Sequence, residues 1–110
     1  MKVENKIMMK KLREEIAEIM HKEYSRASEA YGPKFVSEFE AYAVIKEEIE
    51  ESSEELKHIN EIFENFWEEI KKGTVSKEKL EKMRQHAINL ACEASQVAAM
   101  MHKTLEGFKR

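Results

Sequence analysis

A long series of apolar side chains at helical spacing constrains the fold of this chain more than any other feature. Between residues 42 and 70 the series advances by alternating steps of three and four, with one serine included: Tyr42, Ile45, Ile49, Ser52, Leu56, Ile59, Phe63, Phe66 and Ile70. Such steps place side chains on one face of an α-helix, whereas a half-buried strand alternates strictly. The pattern predicts a helix of roughly 50 Å, with this stripe packed in a core.

Two breaks separate this helix from the rest of the chain. Gly32 and Pro33 interrupt the helical pattern, because proline lacks a backbone donor and clashes with the preceding turn. Gly73 fits the position just past a helix end, and Ser37 and Ser76 are suited to cap the helices that follow each break. Apolar residues recur at steps of three and four on both sides. We therefore predict helices over about residues 4–30, 38–71 and 77–106.

The composition agrees with long helices and few connections. The chain has 110 residues, of which 42% are hydrophobic and 37% charged, with only three Gly and one Pro. All 22 acidic residues are Glu, which tolerates a helix interior better than Asp does. We predict an all-α protein with a single domain over residues 1–110, a helical bundle. So short a chain cannot cover this much apolar surface, so we expect a homodimer or homotetramer.

Charge and hydropathy exclude several classes of partner. A net charge of −3 provides no basic field for nucleic acid. No apolar run approaches the roughly 20 residues of a membrane span, and the charged N-terminus is unlike a signal peptide. The single cysteine, Cys92, has no internal disulfide partner and is expected to be a small buried residue. We expect a cytoplasmic protein without a membrane or nucleic-acid partner.

The glutamates of "VIKEEIEESSEEL", residues 44–56, are not equivalent on the predicted helix. At about 100° per residue, Glu48, Glu51 and Glu55 form one row beside the apolar stripe. The third helix has a matching row beside its own stripe, and Glu93 is the one charged residue in its Ala-rich stretch 87–101. The oxygen-bearing members and the cation of that row are Asn89, Glu93, Gln96 and Lys103. If the rows meet, their carboxylates come together.

Carboxylates at close range repel one another unless a cation neutralises them. An all-oxygen ligand set suits Mg²⁺ or Mn²⁺, while Cys92 and the four histidines show no zinc spacing. Two other interpretations remain open. The glutamate run is also typical of a solvated helix face with Lys46 and Lys57 as partners. The row around Glu93 could equally be a structural hydrogen-bond network at an interface.

Two short motifs carry a resemblance to a known family. The segments "EEIEE" and "EASQ" resemble the Glu-Glu-x-x-Glu and Glu-x-x-Asp signature of the MazG-like nucleotide pyrophosphohydrolases, all-α proteins related to dimeric dUTPases. The longer strings "EAYAVIKEEIEE" and "ACEASQVAAMMHK" look like a small phage- and Firmicute-type branch of that superfamily. The resemblance covers about residues 38–103. Gln96 stands where the signature has an aspartate, and the segment between the motifs is longer than in the family pattern.

The resemblance implies hydrolysis of a nucleoside triphosphate between the α and β phosphates, giving a monophosphate and pyrophosphate, with Mg²⁺ (or Mn²⁺) as cofactor. Glu48, Glu51 and Glu93 would hold the ion, with Gln96 as a neutral ligand, and Glu47 or Glu51 would activate the attacking water. The implied substrate contacts are Asn89, Lys103, Lys46 and His86. The alternative is a catalytically inactive helical interaction protein, or a regulatory protein that binds nucleotide without cleaving it.

Overall fold

The structure, a computed structural model, describes residues 2–108 and contains three helices. Helix α1 spans Val3–Tyr31, α2 spans Glu38–Lys72 and α3 spans Lys77–Gly107. No strand occurs among the described residues. The prediction of an all-α chain with three long helices is confirmed, and each predicted helix end lies within one residue of the observed end.

The helix ends are formed by the local chemistry that the sequence predicts. The Ser37 hydroxyl oxygen accepts the backbone N–H of Glu40 at 3.2 Å, and that of Ser76 accepts the N–H of Lys79 at 3.2 Å. Both contacts are N-caps, which satisfy donors that the first helical turn leaves free. Gly73 follows α2 with a φ of +69°, a conformation that favours glycine at a helix C-terminus.

The internal contacts of the chain divide it into two compact units. The hairpin unit is Lys46–Ala94, and the terminal unit combines Met1–Ile45 with Ser95–Arg110. The boundaries fall within α2 and α3, so each of these helices contributes to both units. The single domain over residues 1–110 stays a prediction, and the two units are described separately.

In the hairpin unit, Glu69 ties the end of α2 to the start of α3. One carboxylate oxygen lies 2.8 Å from Lys79 Nζ and the other accepts the backbone N–H of Ser76 at 3.2 Å. The hydrogen bond from Lys79, followed by that from Ser76, lowers the pKa of Glu69, because both stabilise the charged carboxylate. This side chain therefore helps to set how the two helices pair across residues 73–76.

The apolar stripe of α2 is only partly covered in the hairpin unit. Ile59 and Phe66 are half-buried, but four residues at intervals of seven have 46–59% of their surface exposed: Ile49, Leu56, Phe63 and Ile70. The prediction that Ile49 and Leu56 pack in a core of the chain is wrong, because the side of α2 that faces α3 carries Glu48 and Glu55 instead. Phe63 and Ile70 belong to the apolar surface that the predicted oligomer would cover, and that stays a prediction. We call these four residues the heptad row. Cys92 is also exposed, contrary to prediction.

The terminal unit contains α1, the start of α2 and the end of α3. Its buried residues are Ala41 of α2 and Ser95, Ala99 and Lys103 of α3. Helix α1 contributes no buried residue. The His102 ring packs edge-on against the Tyr24 ring, with centroids 4.6 Å apart. Tyr42, predicted in the apolar stripe, is 70% exposed. In the stretch from residue 2 to residue 108, no helix combines the length and apolar character needed to cross a membrane.

Candidate metal-binding site

Three carboxylates from α2 and α3 come together in the hairpin unit. Glu48 and Glu51 are three residues apart on α2 and therefore share one face of the helix. Glu93 projects from α3, and one carboxylate oxygen from each of the three residues lies within 4.8 Å of the other two. We call this group the carboxylate cluster. All three belong to the two rows described from the sequence, which also include Glu55, Asn89 and Gln96.

Two oxygen atoms of the carboxylate cluster are buried without a hydrogen-bond donor. Glu48 and Glu93 are half-buried, while Glu51 is exposed. Within residues 2–108, Oε2 of Glu48 and Oε2 of Glu93 are closed to solvent and find no partner. A buried carboxylate oxygen without a donor is costly, because water no longer solvates its charge. A proton or a cation would remove this cost.

The pKa values of two members of the carboxylate cluster are raised, for the same physical reason. Burial, followed by the negative charges of Glu51 and Glu93, raises the pKa of Glu48 to about 7. Burial and the adjacent Glu51 carboxyl also raise the pKa of Glu93. The negative charge of Glu55 raises it further. Like charges at this distance disfavour simultaneous ionisation. Near neutral pH, the carboxylate cluster therefore holds a proton for part of the time unless a cation takes its place.

The carboxylate cluster fits a hard divalent cation. Its ligands are all carboxylate oxygens, which Mg²⁺ and Mn²⁺ prefer, whereas zinc sites are usually built with His or Cys. Ligands bound to Mg²⁺ at about 2.1 Å lie no more than about 4.2 Å apart. The oxygens of Glu48, Glu51 and Glu93 lie within 4.8 Å of one another, so small rotations of these flexible side chains would be enough. Three protein ligands would also leave positions for water and substrate.

A histidine pair lies in the same hairpin. Nδ1 of His86 lies 2.7 Å from an oxygen of Glu55, and the His86 ring stacks on that of His58, with centroids 4.8 Å apart. The sequence predicts His86 as a substrate contact but does not predict either interaction. The signal available was spacing, since Glu55 lies two turns after Glu48 and His58 follows Glu55 by three residues, so all three share one face of α2.

The remaining predicted residues of the hairpin unit lie outside the carboxylate cluster. Glu47 is exposed, and its charge contributes to the raised pKa of Glu48. Lys46 is also exposed, with Nζ 3.9 Å from an oxygen of Glu50, as expected for a solvated helix face. Asn89 is half-buried, and its side-chain oxygen accepts a hydrogen bond from Gln85 at 3.0 Å.

Two predicted residues belong to the terminal unit. Gln96 is half-buried there. Lys103 is buried, and its ammonium group lies 4.4 Å from the centroid of the Phe35 ring.

The chain matches no protein-family model, no curated protein and no solved structure. The MazG-like resemblance thus stays a prediction that depends on two short motifs. Glu48, Glu51 and Glu93 belong to those motifs, and they are the residues whose carboxylates the structure brings together.

Proposed function

We propose that this protein is a Mg²⁺- or Mn²⁺-dependent nucleoside triphosphate pyrophosphohydrolase of the MazG-like kind. The observation that carries the proposal is the carboxylate cluster, in which two buried oxygens have no donor among the described residues. Such a cluster is strained by its own charge and is stabilised by a divalent ion. The motifs "EEIEE" and "EASQ" support the reaction type, cleavage between the α and β phosphates.

The proposal assigns the ion and the attacking water to residues of the two motifs. Glu48, Glu51 and Glu93 would hold the ion, which supplies charge neutralisation for the phosphates and polarises the α-phosphorus. Glu47 is exposed immediately before Glu48, so it is free to orient or deprotonate an attacking water, and Glu51 is the other candidate for this role. Gln96 adds no negative charge where the family signature has an aspartate.

A pyrophosphate-release screen tests this function. Common and modified ribo- and deoxynucleoside triphosphates are incubated with the chain and Mg²⁺ or Mn²⁺, and the products are separated by ion exchange. We expect a monophosphate and pyrophosphate from at least one substrate, and neither product in EDTA. Glu93→Gln should lower the rate by roughly 100-fold or more, because a lost ligand removes several kcal/mol of transition-state stabilisation.

The matched control is Glu50→Gln. Glu50 lies in the same glutamate run, but it is exposed and lies near Lys46, so its loss should leave the rate nearly unchanged. Release of orthophosphate in place of pyrophosphate would contradict the proposed cleavage position. Nucleotide binding without release of either product would favour the regulatory alternative.

The heptad row favours the second candidate function, a helical interaction protein. It also favours an oligomer of this chain. Phe63 is 59% exposed, and Trp67, four residues further along, is 59% exposed as well. Apolar residues repeated every seven positions are typical of contacts between helices, and large exposed apolar patches are unusual on a monomer. We propose that a homodimer or homotetramer buries this row, whether or not the chain is an enzyme.

The oligomer has a direct test in light scattering coupled to size exclusion. The wild-type chain should have two or four times the 13.0 kDa of one copy. Phe63→Glu should weaken association roughly 100-fold, because each copy loses the burial of a large apolar side chain and gains a charge. Glu64→Gln changes an exposed neighbour and should retain the wild-type mass. A single-chain mass at every concentration would contradict the oligomer.

A further inference from the structure

The terminal unit contains a pocket at the start of α2. The carboxylate cluster contributes no residue to it. The volume of the pocket is about 220 Å³. The polar side is formed by Ser37 and Glu38 at the start of α2 and by Lys103 and Thr104 near the end of α3. Phe35 and Phe108 form part of the apolar side. We call this space the Lys103 pocket.

Lys103 is an unusual residue for the wall of such a pocket. Only 4% of its surface is exposed, and no carboxylate forms an ion pair with it in the part of the chain that the structure describes. Its ammonium group lies 4.4 Å from the Phe35 ring centroid, a cation–π contact that compensates only part of the lost hydration. Buried lysines are almost always paired. The charge of Lys103 is therefore available to an anion in the pocket.

The beginning of α2 supplies a second source of positive potential. The Ser37 side chain accepts the N–H of Glu40, and its carbonyl accepts the N–H of Ala41. The first helical N–H groups, those of Glu38 and Phe39, have no intrahelical acceptor. A helix N-terminus attracts anions because these free donors and the aligned peptide dipoles point outward. Both positive groups border the Lys103 pocket.

The wall of the pocket is held in place by contacts within the terminal unit. Gly32, with a φ of +90°, donates its N–H to the Ser28 carbonyl at 2.8 Å. The Tyr24 hydroxyl lies 3.5 Å from the Pro33 carbonyl oxygen. These contacts tie the segment that carries Phe35 and Ser37 to α1. The pocket is formed by the segment before α2, the start of α2 and the end of α3. It is therefore not an exposed helix end alone.

We propose that the Lys103 pocket binds a small oxyanion, the phosphate or carboxylate group of a metabolite. The pocket, at about 220 Å³, is smaller than the roughly 300–1,000 Å³ of sites for drug-sized ligands, so it accommodates the anionic group with a few attached atoms. Phe35 and Phe108 would contact an apolar part of the ligand. Glu38 also lines the pocket, and its negative charge repels a doubly charged anion more strongly than a singly charged one. The inference does not depend on the carboxylate cluster.

An NMR titration of the full chain tests this site. ¹H–¹⁵N spectra are recorded in EDTA with sodium phosphate or sodium acetate, and sodium chloride at matched ionic strength is the reference. We expect saturable shifts concentrated at the amides of residues 37–41 and 103–104. Lys103→Met should weaken binding roughly tenfold or more, because a charge-assisted hydrogen bond is lost. Lys103→Arg should retain it, and so should Lys34→Met, which changes an exposed lysine close in sequence to Phe35.

Each outcome of the titration has a definite meaning. A stronger response to phosphate identifies a phosphate ligand and a stronger response to acetate identifies a carboxylate, and both support the site. Tighter binding by Glu38→Gln supports it as well. Shifts equal to those in chloride, or unaffected by Lys103→Met, would overturn the proposal. If Lys103→Met does not fold, shifts of the wild-type chain that scatter over all helices would overturn it. Because EDTA is present, failure here says nothing about the divalent-ion site.

Discussion

At pH 8, Mg²⁺ or Mn²⁺ at ten times its dissociation constant should raise the melting temperature of the wild-type chain by roughly 5 °C. The physical reason is the charge of the carboxylate cluster, whose oxygens lie within 4.8 Å of one another. A bound cation stabilises the folded chain because the unfolded chain does not hold the three carboxylates together. Thermal unfolding followed by circular dichroism, with EDTA as reference, measures the effect.

Glu93→Gln should remove this increase. It takes away the one carboxylate that α3 contributes to the cluster and leaves an amide of nearly the same shape. Glu50→Gln is the matched control, since Glu50 is exposed and lies near Lys46, and it should respond to the ion as the wild type does. An equal increase in the wild type and in Glu93→Gln would show that the ions act elsewhere on the protein.

Without divalent ions, the folded chain should be less stable at pH 8 than at pH 5. The pKa of Glu48 in the folded chain is raised from the ordinary 4.5 to about 7. Between these two values the folded state holds a proton that the unfolded state releases, so stability falls as pH rises through this window. The raised pKa of Glu93 acts in the same direction. The lowered pKa of Glu69 affects stability only below the ordinary value of a carboxyl group.

Glu48→Gln isolates this effect, because glutamine does not titrate and does not repel its neighbours. At pH 8 in EDTA, it should raise the melting temperature by roughly 4 °C, equivalent to about 1 kcal/mol. This value is below the full equivalent of such a pKa shift, because Glu48 remains partly accessible to screening solvent. At pH 5 the two proteins should melt at nearly the same temperature. A difference between them that does not change from pH 5 to pH 8 would contradict the assigned cause.

The two experiments are linked through competition between protons and the cation. A cation must displace the proton that the carboxylate cluster holds near neutral pH, so its apparent affinity should increase as pH rises through about 7. The pH at which the metal-free chain is weakest is therefore the pH at which the ion has its largest effect on the melting temperature.

The candidate site was predictable to the extent that it depends on helix geometry. The angular spacing of residues along an α-helix is constant, so Glu48, Glu51 and Glu55 had to share a row beside the apolar stripe. Spacing does not reveal which of two adjoining rows a neighbouring helix covers. The structure shows that α3 covers Glu48 and Glu55, whereas Ile49 and Leu56 remain about half exposed.

The extents of the helices and their caps follow from the amino-acid order, because hydrogen bonds and steric limits reach only about four residues along a helix. The contacts across helices depend instead on register and packing, to which residues distant in sequence contribute together. Tertiary structure places Glu93 opposite Glu48 and Glu51, with Glu69 bridging the hairpin to Lys79. It also buries Lys103 against Phe35, which no local pattern encodes.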